Sequence, residues 1–509
     1  MRIARIVNAV PNNHSNETNN DSEPNIAVNP ANPSQMAITA FTPPDPGDIN
    51  GPVYYTTDGG ENWALLFDVP GAGSQDQTIG FSSSSNELYM ATLRADTATL
   101  TLNVDRSADP TTGTFPIIET RSPLDQPWVH AITVQSGSAA GKVRTYVGYG
   151  DESAGYWATV DVCLDSLAAT PTFTKTKLDS RTAIRDGFHI RPEPHSDGTV
   201  YVGYQSWLSQ SASVVRNMNM VVARDDNWGQ NNFGDLTDPS DSVAGRIVVN
   251  VNIDGVTPLA GQRPDNGFDV QVDPNDSDVV YLSYIDSSGS GFTLHVVRSL
   301  DRGKTWSADL ITVANAALAT MAINSQSTVA LSYLQLVSNQ WQAHFRTTTD
   351  GTTWDDLLLA QTAVPPSGFL GDYMRMVTAG PHFYGVFPAV NTPTAANFFP
   401  NGGGTLRFQR NNNGTQLLGN DNSTVIGSSI DPFFFKVEEK DATFTLNRNP
   451  IGQDEVDARR LQPHGSLGGL PIQDCFRVIV DGFTASELGL TGPSSTLPVT
   501  SSLSATVLP

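Results

Sequence analysis

Apolar residues in this chain come in short runs, not long stripes. Leu88-Tyr89-Met90-Ala91, Thr145-Tyr146-Val147-Gly148-Tyr149, Val200-Tyr201-Val202-Gly203-Tyr204, Val280-Tyr281-Leu282-Ser283-Tyr284 and Val329-Ala330-Leu331-Ser332-Tyr333 mix β-branched, aromatic and small residues in alternation. Such residues suit a pleated, half-buried surface, so each run predicts a strand. No long stretch shows the apolar period of an amphipathic helix.

Most of these runs follow a recurring head, an acidic residue entering an apolar strand. Copies begin at Glu23, Asp76, Asp125, Asp186, Asp265 and Asp372, and a weaker one without the acid lies near Thr320-Met321-Ala322-Ile323. A tail follows each pair of strands. Ser299-Leu300-Asp301-Arg302-Gly303-Lys304-Thr305-Trp306 and Thr56-Thr57-Asp58-Gly59-Gly60-Glu61-Asn62-Trp63 share the form Ser/Thr-x-Asp-x-Gly-x-x-Trp. The carboxylate of Asp58 or Asp301 can accept backbone N–H groups of a tight turn. Gly303 supplies a backbone angle that other residues resist. Trp63 and Trp306 are large enough to wedge between one small sheet and the next. Thr348 to Trp354 is a copy one residue short, with Asp350 and Trp354 in the key places; Ser107 to Phe115, the segment ending at Phe173, and Asp225 to Trp228 are worn copies.

Head and tail keep a nearly constant distance: thirty residues separate Val28 from Asp58, and twenty-eight separate Asp273 from Asp301. Repeats of this size, each worth one small sheet, predict a propeller. Seven heads predict seven four-stranded antiparallel blades, with six as the alternative. The wider gap before Trp306 predicts an insertion over residues 229–261. The expected organisation is an N-terminal strand and polar loop over 1–22, in which Ile3 to Val10 is placed to close the ring; the propeller over 23–437; and a small β appendage over 438–509. That appendage ends in an uncharged Ser/Thr/Pro-rich tail suited to a protein partner.

Composition narrows the function. The 509 residues carry a net charge of −23, with only 16% charged residues but 43 Gly and 33 Pro. Broad nucleic-acid binding is excluded, because phosphate requires Lys and Arg. Cys163 and Cys475 form no zinc motif or disulfide framework; one bridge or two buried thiols are the options. No run of eighteen apolar residues predicts a membrane span. No signal peptide is readable at Met1 to Val10, although an extracellular, exported or virion-like setting suits the composition.

The Ser/Thr-x-Asp-x-Gly-x-x-Trp turns, set at blade spacing over residues 23–436, resemble the Asp box of the sialidase-like β-propeller superfamily. The resemblance implies an all-β propeller in which Asp58, Asp301 and Asp350 stabilise blades at the outer rim. Active sialidases of that superfamily use three Arg to grip a carboxylate, a Tyr–Glu nucleophile pair, and an Asp acid/base, the tyrosine being an exception among glycosidases. Their early Phe/Tyr-Arg-Ile-Pro segment is missing here. The residues that can stand in are Arg191, Arg263 and Arg375 for the substrate grip, Tyr373 with Glu193 as nucleophile pair, and Asp372 as acid.

The recurring head acids are the residues' own signal. In a propeller they would ring one mouth of the channel. They either cap backbone in their own loops, or bind a cation or a hydroxyl-rich ligand, or supply a carboxylate pair for glycoside hydrolysis. Trp128, Phe188, Phe268, Tyr373 and Trp207 lie near enough to stack on sugar. A ring of negative charge disfavours an anionic sugar, so a neutral glycan, recognised through Asp125, Trp128, Asp186 and Asp265 among others, is the first expectation. An active exo-glycosidase and a non-catalytic structural or adhesion part are the alternatives. No cofactor is required. Calcium is the one ion considered, through Asp273 to Asp278 and Asn420 to Ser423, where turn chemistry is the simpler reading.

Overall fold

The structure, a computed structural model, describes residues 2–42, 51–69, 74–83, 86–94, 99–181, 184–210, 215–254, 259–263, 266–287, 291–439, 443–447 and 477–481. The chain divides into two units, Ala4–Val437 and a second made of Met1–Ile3 with Glu438–Pro509. In the second, Thr443–Asn447 pairs antiparallel with Arg477–Asp481, Phe444 opposite Val480. Cys475 and the tail beyond Leu488 lie outside the described residues, whereas Cys163 is a buried free thiol.

Ala4–Val437 is a seven-bladed β-propeller of four-stranded antiparallel sheets. The first strands of the blades are Ser22–Val28, Ser74–Phe81, Leu124–Thr133, Arg191–Pro194, Asp269–Asp273, Ala316–Ile323 and Arg375–Ala379. Each packs on the next, and the last returns to the first, so they form the wall of a central channel. Blade 7 is larger. The N-terminal strand Arg2–Asn8 inserts between Ile430–Glu439 and Gly404–Phe408 and runs parallel to the latter, Ala4 opposite Gly404 and Asn8 opposite Phe408.

That seam is also bonded by buried charge. Arg410, with no solvent exposure, donates to both oxygens of Asp431 at 2.9 and 3.1 Å, to the Ser15 carbonyl at 3.0 Å, and to the carbonyl and carboxyl of Glu17. Asp431 further accepts from Asn8 at 2.6 Å and Asn391 at 2.7 Å. The N-terminal segment is thus tied to blade 7 by side chains as well as backbone. Burial, then the negative charges of Asp21 and Asp431, push the Glu17 carboxyl up to about 10, so it is neutral at pH 7.

The turns closing the outer strands show why their residues recur. Asp58 accepts from the Asn62 N–H at 3.0 Å and from the Thr56 hydroxyl; Asp301 accepts from the Thr305 N–H at 2.8 Å and from the Ser299 hydroxyl. In the shorter copy, Asp350 takes the N–H groups of Thr352 and Thr353 instead, both at 2.7 Å. Trp63 is buried against Phe434 of blade 7. Trp306 and Trp354 are half-buried, each against the blade before its own. The worn copy at Asp225 still accepts the N–H groups of Asn227, Gly229, Asn231 and Phe233. One expectation is corrected here. The extra length of blade 4 is the turn between Asp225 and Gly245, and Arg246–Asp254 within the expected insertion is a regular outer strand.

Candidate functional site

The inner strands of blades 1, 2, 3 and 6 begin with the same irregularity. Their register slips between Ser22 and Asn25, Ser74 and Gln77, Asp125 and Trp128, and Ala317 and Thr320. Glu23, Gln126 and Leu318 sit at φ of 51°, 49° and 52°, a region that non-glycine residues seldom enter. A bulge re-aims the side chains that precede it. Here it turns the head acids away from the sheets and toward one another.

Four of the six head acids meet, from blades 7, 1, 2 and 3. Asp76 lies between Glu23 and Asp125, within side-chain hydrogen-bond reach of each. Glu23 accepts the Asp372 N–H at 3.0 Å. Gln126 donates to Asp372 at 3.0 Å, and the largely exposed Arg263 pairs with the same oxygen. Burial, then the charge of Asp76 and a bond to it, raise Glu23 well above the carboxylate range. Burial, then Asp76, push Asp125 up to about 7. Burial and the neighbouring carboxyls together make ionisation costly, which is why Glu23 and Asp125 hold their protons above the ordinary carboxylate range.

Asp186 stands apart. The first strand of blade 4 is broken after Arg185–Asp186 and resumes at Arg191, and the Asp186 carboxyl accepts the Ala158 N–H at 2.7 Å. Burial, then Asp179, push it up to about 8. It acts as a backbone cap and does not join the cluster. Asp265 lies outside the described residues.

Below the acids the channel is plugged. Trp128 meets Tyr373 edge-to-face at 5.7 Å, and the guanidiniums of Arg191 and Arg375 lie 3.9 and 4.9 Å from the Trp128 ring centre. Arg375 donates to the carbonyls of Ile79 and Val129 and to the Asn25 amide oxygen. The Tyr373 hydroxyl is held by the backbone N–H and carbonyl of Gln77 at 3.0 and 3.2 Å. Burial, then Asp76 and Glu23, raise its phenol far above the usual range.

The structure places the expected Tyr–Glu pair on two different cavities. Glu193 belongs to the far side of the plug, 3.1 Å from His130, and lines a cavity of about 500 Å³ with His195, Gln271 and Thr378. Tyr373 instead lines a separate small cavity with Trp128, Arg191 and Asp372. Nor do the three Arg converge as a grip: Arg191 and Arg375 are buried around Trp128, while Arg263 is at the rim on Asp372. Phe268 is core between blades 4 and 5.

Sequence reading missed Gln126. Its signal was present: the head acid is followed by Gln in both Asp76-Gln77 and Asp125-Gln126. Among the described residues no group of three His, Cys, Asp or Glu is arranged to hold a metal ion. The two Asp/Asn clusters are turns, with Asp273 accepting the Asn275 N–H and Asp421 those of Ser423 and Thr424.

Fold and site define a seven-bladed propeller with a carboxylate cluster at the head end of its channel. No protein-family model matches this chain, and no curated protein does. Solved structures with a similar fold include a Penicillium chrysogenum α-L-arabinanase complexed with arabinobiose, at 10% identity over 85% of this chain and 98% of that one, TM-score 0.42. The endosialidase of phage phi92 matches at 10% identity over 99% and 80% of the two chains, TM-score 0.40. The Hadza microbial sialidase Hz136 matches at 12% identity over 71% and 72%, TM-score 0.38.

Proposed function

We propose that this propeller binds carbohydrate at the head end of its channel, and that Asp125, beside the Asp76 carboxyl, serves there as proton donor to a glycosidic oxygen. The observation that carries the reading is the meeting of Glu23, Asp76, Asp125 and Asp372 above the Trp128–Tyr373 plug, supported by bulges that hold Glu23 and Gln126 in a costly backbone conformation. Carboxylates suit sugar hydroxyls, which donate to them. An acid raised to about 7 beside a second carboxyl provides a donor and an acceptor at neutral pH. Asp372, held by Arg263 and Gln126, remains an acceptor for a hydroxyl or for developing positive charge. Tyr373 supports the site as a wall.

The test is hydrolysis of a panel of fluorogenic glycosides, including neutral pentosides and hexosides and a sialoside, with and without calcium. A glycan-binding array is read in parallel. Turnover that falls about a hundredfold or more in Asp125→Asn, with Tyr373→Phe much less affected, is expected for acid–base work by Asp125. Binding without turnover, lost in Asp372→Asn, leaves a lectin-like role. A folded protein that neither turns over nor retains any glycan overturns the reading.

A further inference from the structure

Beside the acids, between blades 3 and 4, lies a group of opposite chemistry. The Arg185 guanidinium is held among three aromatic rings, 3.9 Å from the centre of Tyr156, 4.5 Å from Trp207 and 4.8 Å from Phe188. Arg216 lies 4.2 Å from Trp207. Tyr156 and Phe188 meet edge-to-face at 5.8 Å, and Tyr156 is held at φ 66°. Backbone bonds fix the frame: Asp186 N–H to the Tyr156 carbonyl at 2.8 Å, and Ile184 N–H to the Trp207 carbonyl at 3.0 Å. Ile184 and Leu208, 54% and 41% exposed, flank it.

A cation stacked this way is rigid, and its in-plane N–H groups remain for a planar anion. In a chain of net charge −23 an arginine would ordinarily find a carboxylate. Arg185 forms no ion pair among the described residues; its one hydrogen bond is 3.5 Å long, to the Asp186 carbonyl. One buried Arg185 nitrogen and the Trp207 indole N–H have no acceptor. Phe188 stands against Gly150, the strand partner of Asp125, which places the group beside the acid cluster.

We propose that Arg185, backed by Arg216 and racked among Tyr156, Phe188 and Trp207, is a subsite for the carboxylate of an acidic sugar residue. It adjoins the Asp76–Asp125 cluster, where a neutral residue of the same chain sits. This rests on the carbohydrate-binding reading above and deepens it: four carboxylates require a neutral ring among them, while the neighbouring subsite takes an anionic one. The substrate class is an acidic heteroglycan, a chain of neutral sugars carrying uronate residues. Tyr156 and Phe188, both partly exposed, give the ring apolar contact, and Arg185 the charge-assisted bonds to its carboxylate.

The experiment compares acidic polysaccharides with their own carboxyl-reduced forms, which differ only in that charge, by binding to the whole chain. The expected result is about tenfold tighter binding of the acidic form of at least one polysaccharide. Arg185→Gln abolishes that preference, the acidic form losing about tenfold more affinity than the reduced form, while Arg185→Lys recovers part of it. Arg216→Gln, a second variant read the same way, lowers the preference if Arg185→Gln fails to fold. Equal binding of both forms, or a preference that survives both variants, overturns the subsite and leaves the carbohydrate reading standing. No binding of either form of any polysaccharide overturns both.

Discussion

Replacing Arg410 by Met removes one cation and leaves the Asp431 carboxylate buried without it. The wild-type guanidinium makes two bonds to Asp431, one to the Ser15 carbonyl and two to Glu17, and neither Arg410 nor Asp431 has any exposed side-chain surface. Asn8 and Asn391 can still donate to Asp431, but they carry no charge. Breaking a buried pair by removing one partner costs about 3–5 kcal/mol, largely because the other charge stays buried. Arg410→Met is therefore expected to lose that much in urea denaturation. Hydrogen exchange should accelerate first along Ala4–Asn8 and Gly404–Phe408, the strands this network anchors. Asp431→Asn added to Arg410→Met should restore half or more of the loss, since no charge is then stranded. A loss below about 1 kcal/mol, the range of an exposed pair, or a double variant no better than the single one, would refute the argument.

Two further outcomes follow from the buried acids. Asp21, Asp105 and Asp125 are raised to about 7 and Asp186 to about 8, burial being the first cause in each. The folded state holds protons that the unfolded chain releases near pH 4. The stability these groups contribute is complete below that and falls as pH rises from there to 7 or 8, at about 1.4 kcal/mol per pH unit for each full proton, with no further loss above. Thermal denaturation should show a more stable protein at pH 5.5 than at pH 8; the reverse order contradicts the burial of these acids. Gly371 lies at φ 121°, and a Cβ there would stand 2.6 Å from the Glu23 backbone nitrogen. Gly371→Ala is expected to displace Glu23 and lower glycan affinity or turnover about tenfold or more, measured beside circular dichroism to show that the blades persist.

The fold was legible because its rules are local. A turn that needs an acceptor, a positive φ and a wedge writes Asp, Gly and Trp within eight residues, as at Asp301, Gly303 and Trp306. The convergence of head acids was legible in part: position in the repeat locates an acid at one end of a strand. Whether it reaches its neighbours depends on a bulge. Asp76 and Asp125 have the bulge in their strands; the broken first strand of blade 4 sends Asp186 to Ala158 instead. Tyr373 and Glu193 looked compatible because sequence gives no depth along a channel, and the Trp128 plug divides them. Arg185 was not legible at all. Its rings come from three different segments, Tyr156, Phe188 and Trp207, and none of them announces the others.

The N-terminal strand in blade 7 has a consequence for how the protein is made. Ala4 leaves the ribosome four hundred positions before its partner Gly404. Through most of synthesis the apolar strand has no place to go, while the blades assemble behind it one hairpin after another. The circle closes only when blade 7 arrives, and until then each nascent chain carries an unplaced strand and an unpaired edge. Two chains on one messenger carry the same strand and the same edge. Crowded translation therefore favours exchange of that strand between neighbours, an interlocked dimer that slow, well-spaced synthesis avoids.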